Sequence, residues 1–314
     1  MTTTGTAAAT REALGPTLVR LYQEGLDIVV VDADLGVSTT AREFGARYPE
    51  RFFTVGVAEQ NMVSLAAGLA AAGKIAFAST FAVFMPGRCF DQIRMSVAQP
   101  GLNVKLVASH GGFTTGEDGA SAQAIEDLAL VCALPGFHVV VPADVVEAAQ
   151  AIEAAARTPG PFYIRTGRPK VPVVYDESYR FQLGKAHVIR PGTDLTILAS
   201  GVMVYQALRA ADLLAAEGVQ ARVVNVATLR PFDADAVEAA ARETGAILTV
   251  EEHQAHGALS SLAAQAAAER FPVPMRFLGL DRYGESGKWD ELLDHFGFSP
   301  PAIAAAAREL LARK

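Results

Sequence analysis

A carboxylate at the mouth of an apolar helix is the first group in this sequence able to do chemistry. In the run RFFTVGVAEQNMVSLAAGLAAAG, from Arg51 to Gly73, a strand is predicted to end near Val57 and a helix to begin around Gln60. That leaves Glu59 at the junction. As a plain first-turn acid it gains a fraction of a kcal/mol from the helix dipole. Withdrawn from water at the carboxyl end of a parallel strand, where open α/β sheets place ligands, it could instead share a proton with a heteroaromatic nitrogen. Phe81, Phe84 and Phe90 follow in FASTFAVFMPGRCFDQIRMS, just past a strand predicted to end near Ala78. Clustered phenylalanines usually fill a core, but in a strand-to-helix loop they can form a wall for a flat ring.

Two further strand ends carry polar groups. His110 opens LVASHGGFTTGEDGASAQAIEDLAL, where Gly111, Gly112, Gly116 and Gly119 keep the chain open around Glu117 and Asp118. Glycines allow close approach of a ligand to the backbone; the alternative is a histidine satisfied by its own chain. In FYIRTGRPKVP, Arg165 and Arg168 stand just beyond a strand. A guanidinium there suits a carboxylate, phosphate or sulfonate, or is simply solvated.

The elements that must position these groups alternate. Short runs read as strands at Asp27 to Val31, Phe52 to Val57, Ile75 to Ala78, Val104 to Ala108, Val139 to Val141 and Phe162 to Arg165. Helical segments at Asn61 to Ala72, Arg88 to Ala98, Ala122 to Cys132 and Val145 to Arg157 separate several of them. The strands are continuously apolar, as in a parallel sheet covered on both faces. Lys170 to Asp194 is polar and reads as a connection. A second α/β pattern follows, with strands at Leu195 to Ala199, Ala221 to Val226, Ala246 to Val250 and Met275 to Leu280. Its helices fall at about Val204 to Ala216, Ala234 to Glu243, Leu259 to Arg270 and Pro301 to Arg313. The expected fold is α/β with two doubly wound domains, residues 1–175 and 193–314, joined by a linker at 176–192. At 314 residues, 51% hydrophobic and 19% charged, the chain can build both cores. A net charge of −7 argues against broad nucleic-acid binding. No apolar run approaches a membrane span, and the first residues lack the order of a signal peptide, so a cytoplasmic protein off the membrane is expected. Cys89 and Cys132 are too few for a disulfide framework or a cysteine metal site.

Taken in order, VGVAEQNM, STFAVF, SHGGFTTGEDGASAQAIEDLAL, VVVPAD, IRTGRP, VEEH and DRYGESG resemble the C-terminal portion of transketolase, from about Arg11 to the end. The GVAEQ form is also similar to 1-deoxy-D-xylulose-5-phosphate synthase. The resemblance implies a pyrimidine-binding domain of thiamine diphosphate enzymes, followed by the transketolase C-terminal domain. It implies that Glu59 is the catalytic glutamate, hydrogen-bonded to N1′ of the aminopyrimidine and setting the tautomer that removes the thiazolium proton. Phe81 and Phe84 then hold the pyrimidine ring. His110, Asp118 and Arg168 contact the sugar hydroxyls or distal phosphate of the substrate, with His110 also counted as catalytic. Glu251, Glu252, His253 and His256 become structural. The HxxH spacing of the two histidines finds no third ligand, so no metal is expected on this chain.

Transketolases bind the diphosphate and Mg²⁺ through a GDG motif and an Asn, and no such segment is visible here. A split enzyme is expected, with a separate N-terminal, pyrophosphate-binding subunit holding the diphosphate and most of the Mg²⁺ contacts, assembled as an α2β2 heterotetramer. Its reaction would transfer a two-carbon ketol unit from a ketose to an aldehyde. Three departures qualify the substrate: Ala122 stands where the family has a histidine, Gln60 where a histidine often follows the glutamate, and Gly87 where an aromatic often sits. A modified sugar or a carbonyl compound of secondary metabolism is therefore an alternative to ordinary pentose phosphates. The β subunit of a 2-oxoacid dehydrogenase shares the two-domain plan and is the rival enzyme class, and a scaffolding subunit that kept the fold is the non-catalytic one.

Overall fold

The computed structural model describes residues 6–314. In chain order its strands are β1 (Ala7–Ala9), β2 (Ile28–Asp32), β3 (Phe52–Thr54), β4 (Ile75–Phe81), β5 (Val104–Ser109), β6 (His138–Val140), β7 (Phe162–Arg165), β8 (Lys170–Pro172), β9 (His187–Arg190), β10 (Leu195–Ala199), β11 (Ala221–Asn225), β12 (Thr228–Arg230), β13 (Ile247–Gln254) and β14 (Met275–Leu280). In the first sheet the order is β12-β6-β7-β5-β4-β2-β3, and every pair is parallel except β12 with β6. In the second it is β14-β13-β10-β11-β9, parallel except for the edge strand β9. β1 and β8 make a small antiparallel pair. The mixed α/β architecture with two parallel sheets is the expected one.

The central strands explain themselves. The β-branched run IVVVD of β2 is buried at every position, and so is VKLVAS of β5, where Lys105 Nζ donates to the Thr158 and Gly160 carbonyls, as strands covered by helices on both faces must be. Parallel neighbours then align their carboxyl ends. Phe81 of β4 lies opposite Ser109 of β5, and Ala108 of β5 opposite Arg165 of β7. Phe81, His110 and the IRTGRP turn are thereby brought to one rim of the sheet, where doubly wound folds bind ligands.

The two halves share more than a contact. β12 comes from the second half yet completes the edge of the first sheet. One apolar cluster runs across the seam, from Val31 and Leu106 to Val226, Leu229 and Ile247. Among the described residues no helix is long and apolar enough to cross a membrane.

Several elements differ from the expectation. The helix Leu14–Gln23 is not among the expected ones; its Pro16 lies in the first turn, where a missing N–H costs nothing. Trp289–Phe296 is likewise an additional helix. The helix expected from Ala122 starts only at Asp127, since the residues before it form a loop with its own hydrogen bonds. The helix expected from Arg88 begins at Met85, and from Ile93 to Ala98 it widens to a π-type turn. The polar stretch 170–194 contains β8 and β9.

Candidate active site

Glu59 is the first residue of the helix Glu59–Ala71. The chain reaches it from β3 through Gly56, whose φ of 73° is open to glycine at little cost. The next helical residues, Met62, Val63, Ala66, Ala67 and Ala70, are buried, and they carry the carboxylate inward until it is 3% exposed. Among the described residues one side chain answers it: Arg88 Nη1 donates to Glu59 Oε2 at 3.1 Å. The same guanidinium lies 4.3 Å from the centroid of the Phe84 ring. The neighbouring Cys89 thiol is pushed up to about 12, first by burial and then by the charge of Glu59.

An aromatic wall continues from there. Phe81 and Phe84 stack with centroids 5.9 Å apart and planes 12° from parallel, and Phe81 stacks on the His110 imidazole at 3.7 Å. Phe90, the third phenylalanine of the cluster, packs partly buried against the core instead.

His110 has a left-handed φ of 59°, an uncommon conformation for a side-chain-bearing residue. It is 2% exposed. Its Nδ1 is 2.8 Å from Ser109 Oγ and its Nε2 is 3.4 Å from Arg11 Nη1. A guanidinium only donates, so Nε2 accepts from Arg11, and Nδ1 carries the proton and donates to Ser109. Burial, then the charges of Arg11 and Arg168, push the imidazole down to about 3, which leaves it neutral near pH 7. Arg11 also donates to the Ser38 carbonyl at 2.7 Å. Arg168 Nη1 donates to the Thr115 carbonyl at 2.7 Å and to Glu117 Oε2 at 2.5 Å. Burial and Arg168 lower the proton affinity of Arg11, with Glu12 and the exposed Asp118 acting against them. Glu59, Arg88, Phe84, Phe81, His110 and Arg11 are thus one continuous series of contacts. It has an acid at one end, a flat aromatic face in the middle and the Arg11 guanidinium at the other end, with the charge of Arg168 near enough to act on both His110 and Arg11.

Arg11 is a site residue that local sequence does not announce. It sits on a single helical turn between β1, a short strand outside the parallel sheet, and the helix Leu14–Gln23, and 99 residues separate it from the histidine it touches. Arg88, which reads only as part of a helix, is hidden for the same reason. Arg165 reads like Arg168 in sequence and has the opposite fate. It is buried against Asp127 at 3.1 Å and donates to the carbonyls of Ala124 and Glu252.

The second half of the chain holds the loop that carries Glu117 and Asp118. Gln123 Nε2 donates to the carbonyls of Phe113, Gly116 and Glu285, the last at 2.8 Å. Ser286 Oγ donates to the Glu117 carbonyl at 2.7 Å. Glu252 accepts from the Thr114 hydroxyl at 2.6 Å, and a Cβ added at Gly112 would lie 2.1 Å from its Oε2. Burial raises the Glu252 carboxyl to about 7. Glu251 caps the helix Leu259–Arg270 by accepting from the N–H groups of Leu259 and Ser260. Both His253 nitrogens are used by backbone groups, of Ala129 and Gln254. His256 is exposed, and Ala122 is buried in the loop, its N–H bonded to the Gly119 carbonyl.

A buried carboxylate facing an aromatic wall fits a planar nitrogen heterocycle with an N–H donor. The fit is visible in Arg88, itself planar and N–H bearing, which lies over the Phe84 ring and donates to Glu59. The family model for the transketolase pyrimidine-binding domain matches residues 6–173, and that for the transketolase C-terminal domain matches residues 184–303. A split-gene transketolase, solved as an inactive β4 tetramer, superposes with a TM-score of 0.90 at 45% identity, over 98% of this chain and 99% of that one. A 6-deoxy-6-sulfo-D-fructose transketolase subunit from Clostridium sp. (strain MSTE9) is 42% identical over 95% of this chain and 92% of its own length. Human transketolase is 39% identical over 98% of this chain but only 50% of its own length.

Proposed function

This chain belongs to the transketolase family, and we propose that it is the C-terminal, pyrimidine-binding subunit of a split, thiamine diphosphate-dependent transketolase. The enzyme transfers a two-carbon ketol unit from a ketose to an aldehyde, and the chain acts only with a separate N-terminal, pyrophosphate-binding subunit in the cytoplasm. The division between its own two domains is taken at residues 176–192. When bound, thiamine diphosphate supplies the thiazolium carbon that carries the two-carbon unit. The partner holds the diphosphate with Mg²⁺, in an α2β2 assembly.

Within this chain Glu59 holds a proton against N1′ of the aminopyrimidine, in a buried setting where the hydrogen bond is strong. Phe81 and Phe84 fix the plane of the ring. Neutral His110 accepts and donates hydrogen bonds beside the reacting carbons and carries no charge of its own. Asp118 faces the sugar hydroxyls. Arg168, together with Arg11, takes the anionic end of the substrate. The observation that carries the reading is the unbroken series of contacts from the buried carboxylate, along the aromatic wall, to Arg11, with the charge of Arg168 felt by both Arg11 and His110.

Two observations favour a sugar other than the ordinary pentose phosphates. Ala122 lacks the imidazole the family has there, and the Clostridium relative is named for a sulfonated fructose. Either a phosphate or a sulfonate satisfies a guanidinium pair. The test is reconstitution with the partner chain and thiamine diphosphate, assayed with hydroxypyruvate as donor beside pyruvate, and then with phosphorylated and sulfonated ketoses. Turnover of hydroxypyruvate without decarboxylation of pyruvate supports the transketolase. Pyruvate as the better donor would establish the 2-oxoacid dehydrogenase subunit in its place.

A further inference from the structure

Arg88 makes the two contacts that the pyrimidine ring needs. Its Nη1 donates to Glu59 Oε2 at 3.1 Å, and its guanidinium carbon lies over the Phe84 ring, 4.3 Å from the centroid. A planar N–H donor from the chain itself therefore occupies the place between acid and wall, and both cannot be there together. The backbone beneath it is fixed, since Gln60 Nε2 donates to the Arg88 carbonyl at 2.8 Å, while its side chain is 47% exposed and free to leave. The pairing also has a reason in the free chain. Glu59 is buried with no other side-chain donor among the described residues, and an ionised carboxylate left alone there is costly.

We propose that Arg88 is an internal occupant of the pyrimidine site. It keeps the Glu59 carboxylate paired in the uncomplexed chain, and it must swing out before the cofactor ring can enter. This rests on the proposed cofactor and adds to it a competition within the chain. Free subunit is held in a closed form that binds the ring more weakly, and the cofactor and partner together displace the arginine. Its departure breaks one half-exposed ion pair and one cation–π interaction, so the barrier is a few-fold in affinity, not an absolute block.

The test uses the full chain alone and the free aminopyrimidine half of the cofactor, 4-amino-5-hydroxymethyl-2-methylpyrimidine, titrated by ligand-observed NMR. Arg88→Ala should bind it about three- to tenfold more tightly than the unaltered chain. Arg88→Lys, which keeps the charge but loses the planar fork, should fall between the two. Far-UV circular dichroism of both variants should match the unaltered chain, while Arg88→Ala, which leaves the buried Glu59 carboxylate without its side-chain donor, should melt lower and Arg88→Lys, which can still pair with it, less so. Equal, weaker or undetectable binding by Arg88→Ala overturns the proposal. A separate arm guards the reading beneath it: adding Glu59→Gln should weaken binding in both backgrounds. If binding tightens on removing Arg88 but ignores Glu59, the occupant is real and the assignment of Glu59 to the pyrimidine nitrogen is wrong.

Discussion

Glu59 and Glu147 are both buried carboxylates near the start of helices in the same domain, and they serve opposite ends. Glu147, in the helix Val145–Arg157, accepts from the Ala143 N–H, from Asn225 Nδ2 on both oxygens, and from the Tyr179 hydroxyl. Asn225 belongs to β11 of the second half, so this acid fastens one domain to the other. Asp144 beside it accepts from the N–H groups of Glu147, Val174 and Tyr175. Every donor comes from a buried or half-buried segment. Glu59 has a single side-chain donor, on a half-exposed arginine. Burial alone does not separate the two acids; what separates them is that the donor to Glu59 is half in solvent while those to Glu147 are held within the seam. The seam is a closed set of hydrogen bonds, and the rim is a set with places to give up.

The sharpest way to break this contrast is Glu59→Gln in the reconstituted pair. Turnover should fall about 10³-fold, the range of a lost proton-transfer group. The melting temperature should not change, because the amide still accepts from Arg88. A matching loss of stability would make Glu59 architectural like its counterpart. Glu147→Ala should do the reverse, costing about 3 kcal/mol in denaturant unfolding by leaving Asn225, Tyr179 and the Ala143 N–H without their acceptor. Turnover per folded molecule should be kept.

A subtler separation comes from pH. Burial raises the Glu147 carboxyl to about 7 from an ordinary 4.5. Between those values the unfolded chain has lost the proton and the folded chain still holds it, so this group makes stability fall as pH rises. Glu147→Gln removes that contribution. The difference in unfolding free energy between variant and unaltered chain should change by up to about 1.4 kcal/mol per pH unit from pH 5 to 7, in the direction that favours the variant at higher pH. His110, held down near 3, pulls total stability the other way in the acid range. The difference between the two proteins, and not either curve alone, therefore carries the result. A flat difference would mean that Glu147 is ionised throughout, fully compensated by its donors.

The same contrast explains what could be read from the sequence. Glu59, Phe81, His110 and Arg168 each follow an apolar run short enough to be a parallel strand, and the topology of such sheets puts those positions on one rim. Local pattern is sufficient there. The seam and the displaceable partners are products of tertiary pairing. Arg165 and Arg168 have the same surroundings in sequence, and only the arrival of Asp127 beneath the loop neutralises the first. β12 is three residues, TLR, whose place on the edge of the other half's sheet has no local signal. Arg11 reaches His110, and Arg88 reaches Glu59, across 99 and 29 residues, through helices whose facing direction depends on what they pack against.

At the arginine end of the rim, Glu117 stands to Arg168 as Arg88 stands to Glu59. Its carboxylate pairs with Arg168 at 2.5 Å while 57% exposed, and the guanidinium lowers its proton affinity. A pair this open is screened by water and salt and contributes little to the fold. It does compete, because an incoming phosphate or sulfonate must take the same guanidinium. Glu117→Gln should therefore lower KM for an anionic ketose about twofold, an effect that fades at high salt. It should leave kcat and melting temperature alone, and it should leave the uncharged ketose L-erythrulose unaffected. The Ser286 bond to the Glu117 carbonyl is a main-chain contact and survives the substitution, so the loop keeps its position. If KM rises instead, Glu117 is holding Arg168 in its binding posture rather than occupying it, and the rim at this end would be built on the closed plan of the seam.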